Sequence, residues 1–221
     1  MYIIYVSKTQ TPCNESIVFK FNCAVPKNVA IAVSGGADSM AVLDFLRRGR
    51  IVTVLHYNHG TGEFANNATA LVREYCRHFN IACIEGYNKE EMPSGVSAEA
   101  WWRDKRYAWF DSVIIPSDMP IVTAHHLDDV AETWLFTSMH GEARLIPGIR
   151  DQYIRPFLIT RKKVFENWCQ RKDVPYLEDP SNIDTKHMRN YIRHTMMPNA
   201  LRVNPGLHKV LKKKIINSIS K

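Results

Sequence analysis

The chain lacks the features that would place it in a membrane or in a secreted scaffold. No apolar run in its 221 residues approaches the roughly 20 needed to span a bilayer. The opening MYIIYVSKTQ has no basic segment ahead of an apolar stretch, so a secretory leader is not expected. Five cysteines, Cys13, Cys23, Cys76, Cys83 and Cys169, are scattered, odd in number and never spaced as C-x-x-C. That excludes a disulfide framework and fits free thiols in a reducing cytoplasm, where the sequons at Asn14 and Asn67 are incidental. There is no G-x-x-x-x-G-K-[ST] run, so a Walker-type nucleotide loop is excluded. There is also no internal repeat and no low-complexity linker.

What is present fits one or two globular domains, with 45% hydrophobic residues to build a core. Charge is unevenly placed. Residues 1–149 hold 13 Lys and Arg against 16 Asp and Glu, whereas residues 150–221 hold 16 against 6. A near-neutral body with a strongly basic remainder points to a polyanionic partner, most simply nucleic acid.

Strand-like and helix-like segments alternate. VAIAV (29–33), IVTVLHY (51–57), IACIEG (81–86) and PIVTAHH (120–126) read as strands, with YIRPFL (153–158) a fifth. Between them DSMAVLDFLRR, NNATALVREYCRHF, SAEAWWRDKRYAWF and LDDVAETWLFTSM carry helical spacing. The fold class expected is α/β: a Rossmann-like parallel sheet with helices on both faces, followed by a basic helical extension. The extension would contain helices over TRKKVFENWCQRK, TKHMRNYIRHTMM and LHKVLKKKIINSI. Three regions follow: an N-terminal extension over 1–27, a catalytic domain over 28–158 and the basic helices over 159–221. In the first, YIIYV and SIVFKF pattern as a hairpin.

Two stretches carry chemistry. Ser34-Gly35-Gly36-Ala37-Asp38-Ser39 joins the first strand to the first helix. Adjacent glycines let a ligand approach the backbone, and the helix start offers free N–H groups and a partial positive charge, which suits phosphate. Ser34 and Ser39 add hydroxyls. Asp38 would repel phosphate alone and makes sense with Mg²⁺ between them. An ordinary capped strand-to-helix turn is the plain alternative. In TAHHLDDVAETWL, a helix starting near Leu127 sets Asp129 and Glu132 on one face, with His125 just upstream at the sheet's ligand edge. Zinc and Mg²⁺ both suit such a cluster; three carboxylates with no nearby cysteine favour Mg²⁺. On the next helix upstream Arg103 and Arg106 stand beside Tyr107, while Trp101, Trp102 and Trp109 read as core. Lys186, Arg189 and Arg193 form a basic stripe suited to phosphate backbones. Gly60-Thr61-Gly62-Glu63-Phe64-Ala65 formally matches a dinucleotide fingerprint, but the first strand-to-helix turn, where pyrophosphate lands, is already the SGGADS loop.

Taken in order, these motifs resemble a known family. SGGADS is similar to the PP-loop signature of N-type ATP pyrophosphatases. HYNHG (56–60), E-x-x-x-R-x-x-R-Y (99–107), AHHLDDVAET (124–133), IRPFL (154–158), EDPSN (178–182) and RNYIRH (189–194) follow as in the tRNA(Ile)-lysidine synthetases. The resemblance covers roughly residues 28–206. It implies a PP-loop, adenine nucleotide alpha-hydrolase-like fold and an ATP- and Mg²⁺-dependent ligase. Such an enzyme joins L-lysine to C2 of the wobble cytidine of a CAU-anticodon tRNA(Ile), through an adenylated intermediate, releasing AMP and pyrophosphate. It further implies that residues 34–39 hold phosphates, that Asp38 and Asp129 hold metal, and that Asp38, Arg103, Arg106, His125, Asp129 and Glu132 surround the reacting groups. Two departures stand out. MHGEARLIPG (139–148) replaces a glycine-rich segment, and the sequence ends at Lys221, where bacterial members carry one or two further domains. A compact member of the kind expected of a bacteriophage or a reduced genome follows, with homo-oligomerisation left open. A PP-loop tRNA thiolase and a non-catalytic tRNA-binding remnant are the competing classes.

Overall fold

Parallel strands buried on both faces need continuous apolar runs, and β1 (Asn28–Ala32) is one: Val29, Ala30 and Ile31 are wholly buried. The computed structural model describes residues 18–114 and 119–219. In it β1 is flanked in parallel by β2 (Ile51–Asn58) and by β4 (Ile121–Val122), with β3 (Ala82–Tyr87) beyond β2. β6 (Tyr153–Ile154) runs parallel to β4, and β5 (Ile149–Arg150) pairs antiparallel at the edge, giving the order β3-β2-β1-β4-β6-β5. The chain leaves β1 towards β2 on one side and returns from β3 to β4 on the other. The direction of winding therefore reverses between β1 and β4, and a crevice opens beyond their carboxyl ends.

One face of the sheet is covered by α1 (Ala37–Arg47), α2 (Glu63–His78) and α5 (Lys162–Lys172). There Met40 and Leu43, Val72 and Cys76, and Phe165 and Cys169 meet Val29, Ile31 and Val54. The opposite face is covered by α3 (Ala98–Ile114), whose Phe110 and Ile114 pack on Ala30, Leu55 and Ile121. Alternate residues of β1 thus serve opposite faces. Trp109 of α3 lies on Gly86, where an added Cβ would sit 2.3 Å from the indole, so this strand position needs glycine. α4 (Leu127–Met139) builds a separate core with α7 (Met197–Val203) and α8 (Leu207–Ile219), through Leu127, Val130, Met197, Leu207 and Leu211.

The α/β class and its mainly parallel sheet agree with the reading from sequence. Several boundaries do not. α2 starts at Glu63 because Gly62, at φ 102°, turns the chain into the helix earlier than the apolar spacing shows. β4 and β6 pair over only two residues each, and β5, which turns into β6 through Asp151 at φ 53°, has no counterpart in the sequence reading. The single helix expected over TKHMRNYIRHTMM divides into α6 (Met188–Tyr191), a π-helical turn (Ile192–Met196) and α7. Pro198 has no N–H to return to residue 194, so the i−4 ladder cannot run through this point. Lys186 lies before α6, in a turn where its N–H bonds the Asp184 carboxylate at 3.0 Å. The N-terminal hairpin falls mostly outside the described residues. Its described end is not a strand, and Lys20 exchanges two hydrogen bonds with the Thr160 hydroxyl (2.9 and 2.8 Å). Packing is continuous across 158/159: the rings of Phe19 and Phe157, on one side, lie 5.2 and 5.8 Å from that of Phe165 on the other.

At the far end of α1 from the crevice, Asp44 is buried and accepts hydrogen bonds from Arg47, Arg48, Tyr75 (2.6 Å) and Trp168 (2.9 Å). One carboxylate thereby ties α1 to α2 and α5.

Candidate active site

The crevice is floored by the turn between β1 and α1. Gly35 takes φ +90°, and a Cβ there would meet Ala68 at 3.2 Å, so both backbone and space demand glycine. The turn is tied internally: the Ser34 N–H donates to the Ser39 hydroxyl (3.1 Å), which donates to the Gly36 carbonyl (3.0 Å). It is also tied to the chain after α5, because the Leu177 N–H bonds the Gly35 carbonyl at 2.9 Å. With the turn held, the N–H groups of Ala37, Asp38 and Ser39 in the first turn of α1 have no carbonyl inside the helix to bond. The arrangement can hold phosphate oxygens.

Across the crevice α4 starts at His126 through a capping box. The Asp129 N–H donates to His126 Nδ1 (3.2 Å), and the His126 N–H donates to Asp129 Oδ2 (3.0 Å). His126 is buried, with Nε2 3.5 Å from Asp38 Oδ2, so it links the two walls. Burial opposes its charge, whereas Asp129 and Asp38, and Asp128 behind them, favour it; the cap hydrogen bond keeps Nδ1 unprotonated and sets the ring proton on Nε2, facing Asp38. His125 points elsewhere: its Nδ1 meets the Thr123 hydroxyl at 2.8 Å, and burial presses its pKa down to about 4, leaving a neutral imidazole. Asp129 stays ionised despite burial, at about 2, because His126, His125 and Arg189 favour the carboxylate.

Asp129 and Glu132 do share a buried face of α4, and two arginines from the basic region cover it. Arg193 forks onto Glu132, with Nε–Oε1 2.7 Å and Nη2–Oε2 3.0 Å. Arg189 bonds Asp129 Oδ1 at 3.0 Å and Glu132 Oε2 at 3.4 Å, and approaches Glu99 at 3.7 Å. Burial works against both guanidinium charges, yet the carboxylates raise both pKa values. Lys186 is exposed and remote from this cluster's ion pairs. The stripe is thus divided: two of its three cations face α4 and one faces solvent. Arg103 is exposed, and Arg106 is pressed below its ordinary range by burial and by Arg103 and Arg189. Neither has a carboxylate within ion-pair distance among the described residues.

Mg²⁺ can be weighed against these residues. Asp38 Oδ1 is buried and has no hydrogen-bond partner, which is an oxygen left open for a cation. Both oxygens of Asp129 are taken, one by the His126 N–H and one by Arg189, so Asp129 offers an oxygen only when Arg189 moves. No group of three or more His, Cys, Asp or Glu that could hold a metal occurs among the described residues. Mg²⁺ commonly takes one or two carboxylates together with substrate phosphates, and the open Asp38 oxygen beside the phosphate-suited turn fits that pattern.

The sequence matches the PP-loop domain family over residues 8–200. The chain belongs to that family. A tRNA(Ile)-lysidine synthase of Staphylococcus epidermidis is 34% identical over 206 residues, spanning 85% of this chain and 47% of that protein. One from Staphylococcus aureus is 33% identical over 193 residues (79% and 44%), and one from a Thermotoga species is 32% identical over 194 (81% and 46%). These relatives bear out the resemblance read from the motifs. The chain spans about half the length of the curated relatives it matches. Among solved structures, a U34-tRNA thiolase of Methanococcus maripaludis, with its 4Fe-4S cluster, superposes at TM-score 0.71 with 15% identity. It covers 92% of this chain and 74% of that one, and shares the PP-loop fold. No helix among the described residues is long and apolar enough to cross a membrane.

Two residues of the crevice, His126 and Glu99, and one buried arginine of a quoted motif, Arg155, escaped the reading from sequence. His126, not His125, bridges Asp38 and Asp129; its place immediately before Leu127, the N-cap position, was the available signal. Arg155, buried in the IRPFL motif, bonds the Pro147 carbonyl at 3.1 Å. Glu99, the first residue of the E-x-x-x-R-x-x-R-Y pattern, meets Arg189.

Proposed function

We propose that the chain carries the catalytic unit of an ATP-dependent tRNA(Ile)-lysidine synthetase. The observation that carries the reading is one crevice with a phosphate-holding turn on one wall and a paired acid face on the other, in a chain a third identical to proteins of that name. In the first step the C2 oxygen of the wobble cytidine attacks the α-phosphorus of ATP, and the bond to pyrophosphate breaks. The N–H groups of residues 37–39 and the hydroxyls of Ser34 and Ser39 hold the departing phosphates. Asp38, and Asp129 once Arg189 withdraws, would hold Mg²⁺, which when bound would neutralise charge on that group.

In the second step the ε-amine of free lysine attacks C2, the C2–O bond breaks and AMP leaves. Lysine arrives as an ammonium and must be neutral to attack. Asp129, ionised near neutral pH, attracts the ammonium, and Glu132 accepts its proton. Arg189 and Arg193 stand where they must yield to, or share with, the incoming ammonium.

Thiolation is less well supported. Cys76 and Cys83 face one another between α2 and β3, whereas Cys169 lies apart from them against the Ala37 carbonyl, so these three thiols do not converge on one point. The test is incorporation of radiolabelled lysine into a CAU-anticodon tRNA(Ile) with ATP and Mg²⁺. Acid-stable label, lost when the wobble cytidine is replaced by uridine, supports the proposal. Label without ATP, or none under any condition with folded protein, refutes it.

A further inference from the structure

Two tryptophans of α3 lie where a core residue would not. Trp109 packs on Tyr57 and Phe110, but Trp101 and Trp102 join none of the apolar clusters and are half-buried. The expectation that all three are core therefore fails for two. Trp102 stands instead against His59, ring centroids 5.5 Å apart, and His59 stands edge-on to Tyr57 at 5.2 Å. His59 immediately follows β2, so this aromatic group sits at the carboxyl end of the sheet, where the crevice opens.

A polar atom there is unspent. His59 Nδ1 is buried and has no hydrogen-bond partner among the described residues. Buried donors and acceptors are normally paired, so an orphan beside a crevice marks a place a ligand completes. Arg103 and Arg106, on the same helix, have no carboxylate within ion-pair distance among the described residues, and both guanidinium groups approach the Tyr107 ring (5.7 and 5.8 Å). Aromatic faces interleaved with unpaired cations bind single-stranded nucleic acid: bases stack, phosphates meet arginine.

We infer that Trp102 and His59 form a stacking platform for an unpaired base of the RNA strand, with Arg103 and Arg106 meeting its phosphates. This rests on the proposed tRNA reaction and names how the strand is held. The RNA strand is favoured over the adenine of ATP because a mononucleotide's phosphates already have the turn at residues 34–39. Two further unpaired arginines fit a continuing phosphodiester chain.

The test compares Trp102→Ala and Trp102→Phe with the parent chain. The measurements are affinity for a CAU anticodon stem–loop, affinity for ATP, and melting temperature. Trp102→Ala should weaken stem–loop binding at least about fivefold, the low end for a lost base stack, with ATP affinity and melting temperature unchanged. Trp102→Phe should recover most of it. Unchanged stem–loop affinity in Trp102→Ala, with the parent chain binding, overturns the platform alone. Loss of ATP affinity instead assigns the rings to adenine and also overturns it. A parent chain that binds no stem–loop overturns the platform and the tRNA reading together.

Discussion

Asp44 and Glu132 are both buried carboxylates gripped by arginine, at opposite ends of the fold. Asp44 draws its arginines from positions three and four residues on, adds Tyr75 and Trp168, and leaves neither oxygen open. Glu132 draws Arg193 from 61 residues away, on the wall facing Asp38, whose Oδ1 has no hydrogen-bond partner among the described residues. A network that fills both carboxylate oxygens, with arginines from its own helix and Tyr75 and Trp168 from two others, locks helices together. A carboxylate held by arginine across a crevice from an unspent oxygen is held ready for something else. The difference separates scaffold from site without reference to either residue's identity.

That contrast can be broken. The largest effect expected is at Asp38. Asp38→Asn keeps the shape and removes the charge, so Mg²⁺-dependent pyrophosphate release should fall by about three orders of magnitude, the several kcal/mol a positioned metal supplies, with the melting temperature unchanged. Near-normal release would return Asp38 to the role of a helix-start acid. Glu132→Gln comes next. Lysine transfer measured in a single turnover should slow by about a hundredfold, the scale of lost proton transfer, while adenylation persists. Equal loss in both steps would mean Glu132 serves only to seat Arg193.

Asp44→Ala should do the reverse and leave both steps intact below the melting transition. It should cost roughly 3–5 kcal/mol, as breaking a buried pair does, and so lower the melting temperature on the order of 10 °C. Burial alone would raise the Asp44 pKa; hydrogen bonds from Tyr75, Arg48, Trp168 and Arg47 outweigh it and hold the carboxyl low. A lowered carboxyl contributes stability above its unfolded value, about 3.9, and loses it as pH falls through the folded value. Melts of parent and Asp44→Ala should therefore converge in acid. Parallel melting curves down to low pH would contradict the network's role.

The smallest effect separates the members of the basic stripe. Lys186→Ala should flatten the salt slope of tRNA binding by about 0.7 to 0.9, one phosphate contact, without moving the melting temperature. Arg193→Ala should lower the melting temperature and leave that slope alone. If both variants change only the slope, Arg193 reads phosphate and its fork onto Glu132 is incidental.

What could be read from sequence was local. The SGGADS turn, the start of α4 at Leu127 and the shared face of Asp129 and Glu132 are set by glycine geometry, capping and spacing within one helix turn. The partners of that face were not legible, because no periodicity connects position 132 to 189 or 193; only the fold brings them together. The same holds for His126: adjacent histidines look alike until the cap decides which one turns inward. Hydrophobicity likewise could not tell Trp109, on Gly86, from Trp102, which stands against His59 beside the crevice.

The most direct test of the central claim is pyrophosphate and AMP release measured together from ATP and CAU-anticodon tRNA(Ile), with and without lysine. The account predicts pyrophosphate release that requires the tRNA but not lysine, and AMP release that requires lysine as well. AMP release indifferent to lysine, or pyrophosphate release without tRNA, would contradict it.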